Sequence, residues 1–231
     1  MKVVLRFIVC LVFCFVYEFG LFAQTDNSVQ VRIVPVFDGK PIELDSVSYA
    51  IRAKDSVKFS SLRFYISAVQ LFQDSSLVKS EENSFHLVDI TNPESMQFLI
   101  PVTKEFNTLQ FNLGLDSLVN VSGVRGGVLD PTQGMYWTWQ SGYINFELTG
   151  VSPNCPEPRH AFDFHLGGYQ YPFKTIQVIR SRTGQNKTIL VSLEIRKFIS
   201  EIDLQNKNHV MSPGADAVKL CSLLGSCFFI Q

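Results

Sequence analysis

The side chains that could do chemistry here are few, and most are soft metal donors. Histidines stand at His86, His160, His165 and His209, and Met211 follows His209 in Asn208-His209-Val210-Met211-Ser212. In an exported protein, imidazole, thioether and thiolate groups are the expected ligands for copper. In Phe162-Asp163-Phe164-His165-Leu166-Gly167, strand alternation sets His165 on the face of Asp163 and Gly167, opposite Phe164 and Leu166. That address suits a ligand, and it equally suits a polar residue on a solvated face. The His-x-Met pair is a soft-metal pattern too short to be specific, in what reads as a loop ahead of a helix. His86, between Phe85 and Leu87, reads as a hydrogen-bonded strand residue. His160 follows proline-rich sequence and is expected to be exposed. Hydrolase, phosphate-loop and zinc-protease motifs are absent, so the chain reads as a non-enzyme. Asp116 and Asp130 could be taken for a carboxylate pair, but each is better placed for local turn hydrogen bonding.

The element that must position any such site is the run from Leu129 to Tyr143, which holds both tryptophans. Asp130-Pro131 starts a turn, because proline presets its own φ and moves the preceding residue out of the helical region. Gly134 supplies freedom to bend. From Tyr136 the residues read as a strand that continues through Ile144 to Leu148. Trp137 and Trp139 then share a face, with Tyr143 in line if Ser141-Gly142 does not bulge. The plainest reading of two such rings is a sandwich core.

The rest of the chain bounds the answer. Met1-Lys2 and Arg6 precede an apolar run from Phe7 to Phe22, interrupted only by Glu18, and polar residues follow Ala23. This reads as a signal peptide over residues 1–23, and a periplasmic location is expected. A single domain over 24–231 remains. Five cysteines less Cys10 and Cys14 leave Cys155, Cys221 and Cys227, which permit one disulfide and one free thiol. A net charge of −1 gives no basic surface for nucleic acid. Short alternating segments at Val29–Phe37, Leu62–Phe72, Ser84–Ile90, Thr108–Leu113 and Ile189–Ile199 read as strands, the first at a sheet edge because of Pro35. Ala215–Leu224 has helical spacing. The fold predicted is all-β: an antiparallel β-sandwich of Ig-like or Greek-key type with one short C-terminal helix.

Several of these runs together resemble the MbnP-like family of periplasmic copper-binding proteins associated with methanobactin clusters. The residues that carry it are Leu62-Arg63-Phe64-Tyr65-Ile66-Ser67, Phe85-His86-Leu87-Val88-Asp89, Gly114-Leu115-Asp116, and Leu129-Asp130-Pro131 with Gly134-Met135 and Trp137-Thr138-Trp139-Gln140-Ser141-Gly142-Tyr143. Phe164-His165-Leu166-Gly167-Gly168-Tyr169 and Val210-Met211-Ser212-Pro213-Gly214 follow in order. The resemblance implies a β-sandwich that holds Cu(I) or Cu(II) through histidines near the paired tryptophans, for copper acquisition, storage or delivery. It also implies that Trp137 or Trp139 could be oxidised to kynurenine by a dihaem peroxidase-like partner, and an outer-membrane transporter is a further expected partner. His165 and His209 are the first choice of ligands, with Met211 beside them and His86 in reserve. The rival reading is a metal-free interaction or carbohydrate-binding module on the same scaffold.

Overall fold

The computed structural model describes residues 27–52, 55–138, 140–156, 158–184 and 186–231. Trp139 and the expected leader lie outside the described residues. In chain order the strands are β1 (Ser28–Phe37), β2 (Lys40–Pro41), β3 (Tyr49–Arg52), β4 (Asp55–Gln73), β5 (Ser76–Ser80), β6 (Phe85–Asp89), β7 (Gln97–Pro101) and β8 (Thr108–Leu113). After helix α1 (Ser117–Val121) come β9 (Tyr136–Thr138), β10 (Gly142–Val151), β11 (Ala161–Gly167), β12 (Gln177–Arg182) and β13 (Thr188–Glu194). Helix α2 (Ile195–Ile199), β14 (His209–Val210), α3 (Ala215–Gly225) and β15 (Phe228–Ile230) complete the chain.

Two sheets share one core. The smaller runs β15-β13-β1-β2, with β7 also on β1. The larger runs β12-β8-β4-β10-β11-β14, and β3, β5, β6 and β9 join it on β4 or β10. Alternation decides which residues enter. On β1, Val29, Val31 and Ile33 are buried, and on β11 Phe162, Phe164 and Leu166 are buried. These meet Phe64, Phe146 and Phe198 in the common cluster.

All-β is the right class, but the antiparallel Ig-like sandwich is corrected: both sheets are mixed and curled. β1 pairs with β13 in parallel, and β11 with β14 in parallel. β1 is not an edge strand either. Pro35 survives in it because its carbonyl, which accepts from Ile42 N–H at 3.1 Å, points to the side where β7 has ended and β2 has not begun. Its missing donor falls in that gap. The strand expected from Ile189 to Ile199 stops at Glu194, whose side chain accepts from Arg196 N–H at 3.1 Å and starts α2.

A second, smaller core covers the outer face of the larger sheet. Tyr65, Leu115, Val119, Leu129, Met135, Tyr143 and Ile144 form it. Its roof is the segment from Gly114 to Met135. Asp116 accepts from Val119 N–H at 2.8 Å and caps α1, and Asp130 accepts from Thr132 N–H at 2.8 Å and closes the Pro131–Gln133 turn. Both aspartates serve turns, as their sequence context implied.

Candidate metal centre

The tryptophan run is a hairpin, where the sequence suggests one continuous strand. β9 turns back onto β10, with Gly142 opposite Thr138 and Tyr143 opposite Tyr136. Gly142 takes φ +75°, and a Cβ there would fall 2.1 Å from Asn120 Oδ1. Tyr143 therefore does not line up with Trp137. It is buried, donates its hydroxyl to Leu129 O at 2.8 Å, and packs edge-on to Tyr65 and Tyr136. Burial raises the phenol pKa of both Tyr65 and Tyr143.

Trp137 lies over Gly167. A Cβ on Gly167 would come 2.8 Å from Trp137 Cζ3 and 2.5 Å from Tyr143 O, so the indole is seated on a bare stretch of β11. Gly167 shares its face with His165 and Asp163, since Phe162, Phe164 and Leu166 occupy the other. His165 is half-buried, and its side chain makes no hydrogen bond or ion pair among the described residues. Its ladder partner on β10 is Glu147.

β14 brings His209 to the same face. Asp163 pairs with His209 and Phe164 with Val210. His209 is thus two residues along and one strand over from His165, about 8 Å away between backbones at ordinary strand spacing. His209 Nδ1 sits 3.1 Å from Asp163 Oδ2. A bare Nδ1 would set its lone pair against the carboxylate, so the proton belongs on Nδ1 and Nε2 is left as the donor atom. Met211, 51% exposed, follows buried Val210 just past the end of β14.

The other two histidines are elsewhere. His86 faces the space between the sheets, bonded to Glu81 Oε2 at 2.8 Å and stacked on Phe98 at 3.7 Å between ring centroids. His160 is exposed, with Nδ1 at 2.7 Å from Cys155 O. The expected reserve role of His86 therefore has no geometric basis beside His165. Cys155, Cys221 and Cys227 are each buried and free, and burial pushes the Cys221 thiol up to about 12. The residues that sequence reasoning passed over are Asp163, Glu147 and Gly167. Alternation already put Asp163 and Gly167 on the face of His165, but their partners come from distant strands.

As a donor set, two imidazoles and a thioether suit a soft ion such as Cu(I). No three His, Cys, Asp or Glu side chains converge among the described residues.

The comparison with known families defines the class: the chain belongs to the MbnP family, whose model matches residues 26–212. Its fold is similar to that of MbnP from Methylosinus trichosporium, with a TM-score of 0.62 at 18% identity over 83% of this chain and 86% of that one. No curated protein matches the chain.

Proposed function

We propose that this chain is an exported copper-binding protein that holds the ion through His165, His209 and Met211, beside the Trp137 indole. The observation that carries the reading is the parallel β11–β14 register, which brings two histidines 44 positions apart in the sequence (His165 and His209) onto neighbouring positions of one sheet face. Family membership supports copper as the ion. His209 would bind through Nε2 while Asp163 holds its Nδ1–H, and His165 would bind through a ring nitrogen that no side chain among the described residues engages. Copper supplies a soft, polarisable cation, and the Trp137 ring face adds cation–π attraction beside it. Acquisition, storage or delivery are the roles open to such a site.

A competitive Cu(I) titration of the mature protein tests this. Stoichiometric binding is expected in wild type, with affinity falling about 10–100-fold or more in His165→Ala and in His209→Ala. No binding in wild type, or unchanged affinity in both variants, rejects the reading. Mass spectrometry of the native protein tests the tryptophan separately: kynurenine appears as loss of one carbon and gain of one oxygen on the peptide that holds Trp137 and Trp139.

A second reading, a metal-free interaction module, is favoured by the apolar residues around the hairpin. Leu118, Val121 and Val124 on the roof are 71%, 64% and 63% exposed, and Tyr171 is 89% exposed. Partner capture that persists in a His165→Ala/His209→Ala double variant would select it.

A further inference from the structure

We propose that Arg63 and Glu147 form a positioning strut that sets Trp137 over Gly167 beside His165, and that this placement is the reason for burying the pair. The part concerning copper rests on the function proposed above; the part concerning Trp137 does not.

The pair joins three segments that are far apart in sequence. Arg63 on β4 donates Nη2–H to Glu147 Oε2 at 2.6 Å and Nε–H to Glu147 Oε1 at 3.3 Å, on β10. Ser61 adds a hydroxyl to Glu147 Oε1 at 2.6 Å. The third edge of the guanidinium donates Nη1–H to Gln133 O at 2.8 Å. Gln133 closes the turn that launches β9, and the guanidinium lies directly beneath Gly134, where a Cβ would come 3.6 Å from both terminal nitrogens. One rigid fork therefore fixes the start of the tryptophan hairpin against β10. The same Glu147 is the ladder neighbour of His165 on β11. The two halves of the candidate centre, the indole and the imidazole, are referenced to a single ion pair. Lysine could not replace it, because an ammonium is a point charge and lacks the planar fork that reaches two acceptors in fixed directions.

Stability does not require such an arrangement. The side chains are only 22% and 6% exposed, and a buried ion pair can often be exchanged for apolar residues of like volume with no loss of stability. Removing one partner is different, because it strands a buried charge. These two facts give a clean test.

The variant is Arg63→Met/Glu147→Leu in the full mature protein, and the readout is the ring-current shift of the Gly167 Hα nearest Trp137 Cζ3 and Cη2, measured without metal. Wild type should show a marked ring-current displacement of that proton from its ordinary position. The double variant is expected to match wild type in thermal stability, to lose most of that displacement, and to bind Cu(I) about 10–100-fold more weakly. A retained Gly167 shift in the folded double variant overturns the proposal. Should the double variant not fold, Arg63→Lys decides: a reduced displacement supports the strut, and an unchanged one overturns it. Wild type that shows the shift and binds no copper defeats the copper reading and leaves the strut to be judged by the shift alone.

Discussion

Gly167 is where the candidate centre is most sensitive to a single atom. It is not a turn glycine; its role is to leave room. A methyl group there meets Tyr143 O at 2.5 Å and the Trp137 ring at 2.8 Å, and the carbonyl is backbone in the middle of a hairpin. Gly167→Ala should cost about 1–3 kcal/mol, in the range of overpacked core sites, and should shift tryptophan emission to longer wavelength as the indole is lifted toward water. Unchanged emission with unchanged denaturant midpoint would show that Trp137 does not rest on β11. The sequence displayed Gly167-Gly168 as the end of a strand. That the first of the two is the seat of an indole thirty residues upstream depends on the hairpin, which only the folded sheet reveals.

The hairpin itself is held by two buried asparagines. Asn120 on α1 accepts from Tyr143 N–H at 2.9 Å and donates to Asp116 O at 2.8 Å. Asn145 on β10 accepts from Leu115 N–H at 3.0 Å and donates to Thr175 Oγ1 at 2.8 Å. Each amide therefore satisfies backbone groups of the roof that no ladder reaches. Asn145→Ala leaves the Leu115 N–H buried without a partner, at a cost of about 1–3 kcal/mol. Urea denaturation should show that loss, and hydrogen exchange should show faster opening of the segment from Gly114 to Val121 than of β4. Equal protection in wild type and variant would remove Asn145 from this role. Neither asparagine stood out in the sequence, because the pattern reports which face a residue takes and not which backbone group it meets there.

For the molecule as a whole, the two sheets are closed at one edge by a polar clamp. His86 on β6 stacks on Phe98 of β7 and bonds Glu81, which also accepts from Ser84 at 2.6 Å. Burial pushes the Glu81 carboxyl up, but the His86 and Ser84 hydrogen bonds outweigh it, and the net shift is downward. A carboxyl depressed by folding stabilises the native state above its unfolded pKa, roughly 4.3, and that contribution is lost as pH falls through the lower folded value. Wild type should therefore lose stability on acidification more steeply than Glu81→Gln below about pH 4, measured by urea midpoints across the acid range. Parallel acid limbs would discard the clamp. The cysteines offer a second global test. With the three thiols of the described residues, Cys155, Cys221 and Cys227, all buried and Cys221 raised to about 12, a thiol reagent should react with these three in the native protein only at the rate of unfolding. Rapid labelling of any one of these three in the native protein contradicts that placement.

Taken alone, the sequence determined the all-β class, the faces of β1, β8 and β11, the C-terminal helix and the family, because each is written in local alternation or in short runs of residue types. Tertiary structure alone decided the rest. Parallel pairing of β1 with β13 joins residues 158 positions apart, such as Gln30 and Thr188, and no local pattern encodes such a partner. The same holds for β14, whose two residues are too short for any periodicity, yet whose register puts His209 beside Asp163, two residues along and one strand over from His165. His86 was removed from that company by facing the gap between the sheets. Periodicity assigns a side chain to a face; which strand lies next to it is settled only by long-range closure of the sheets.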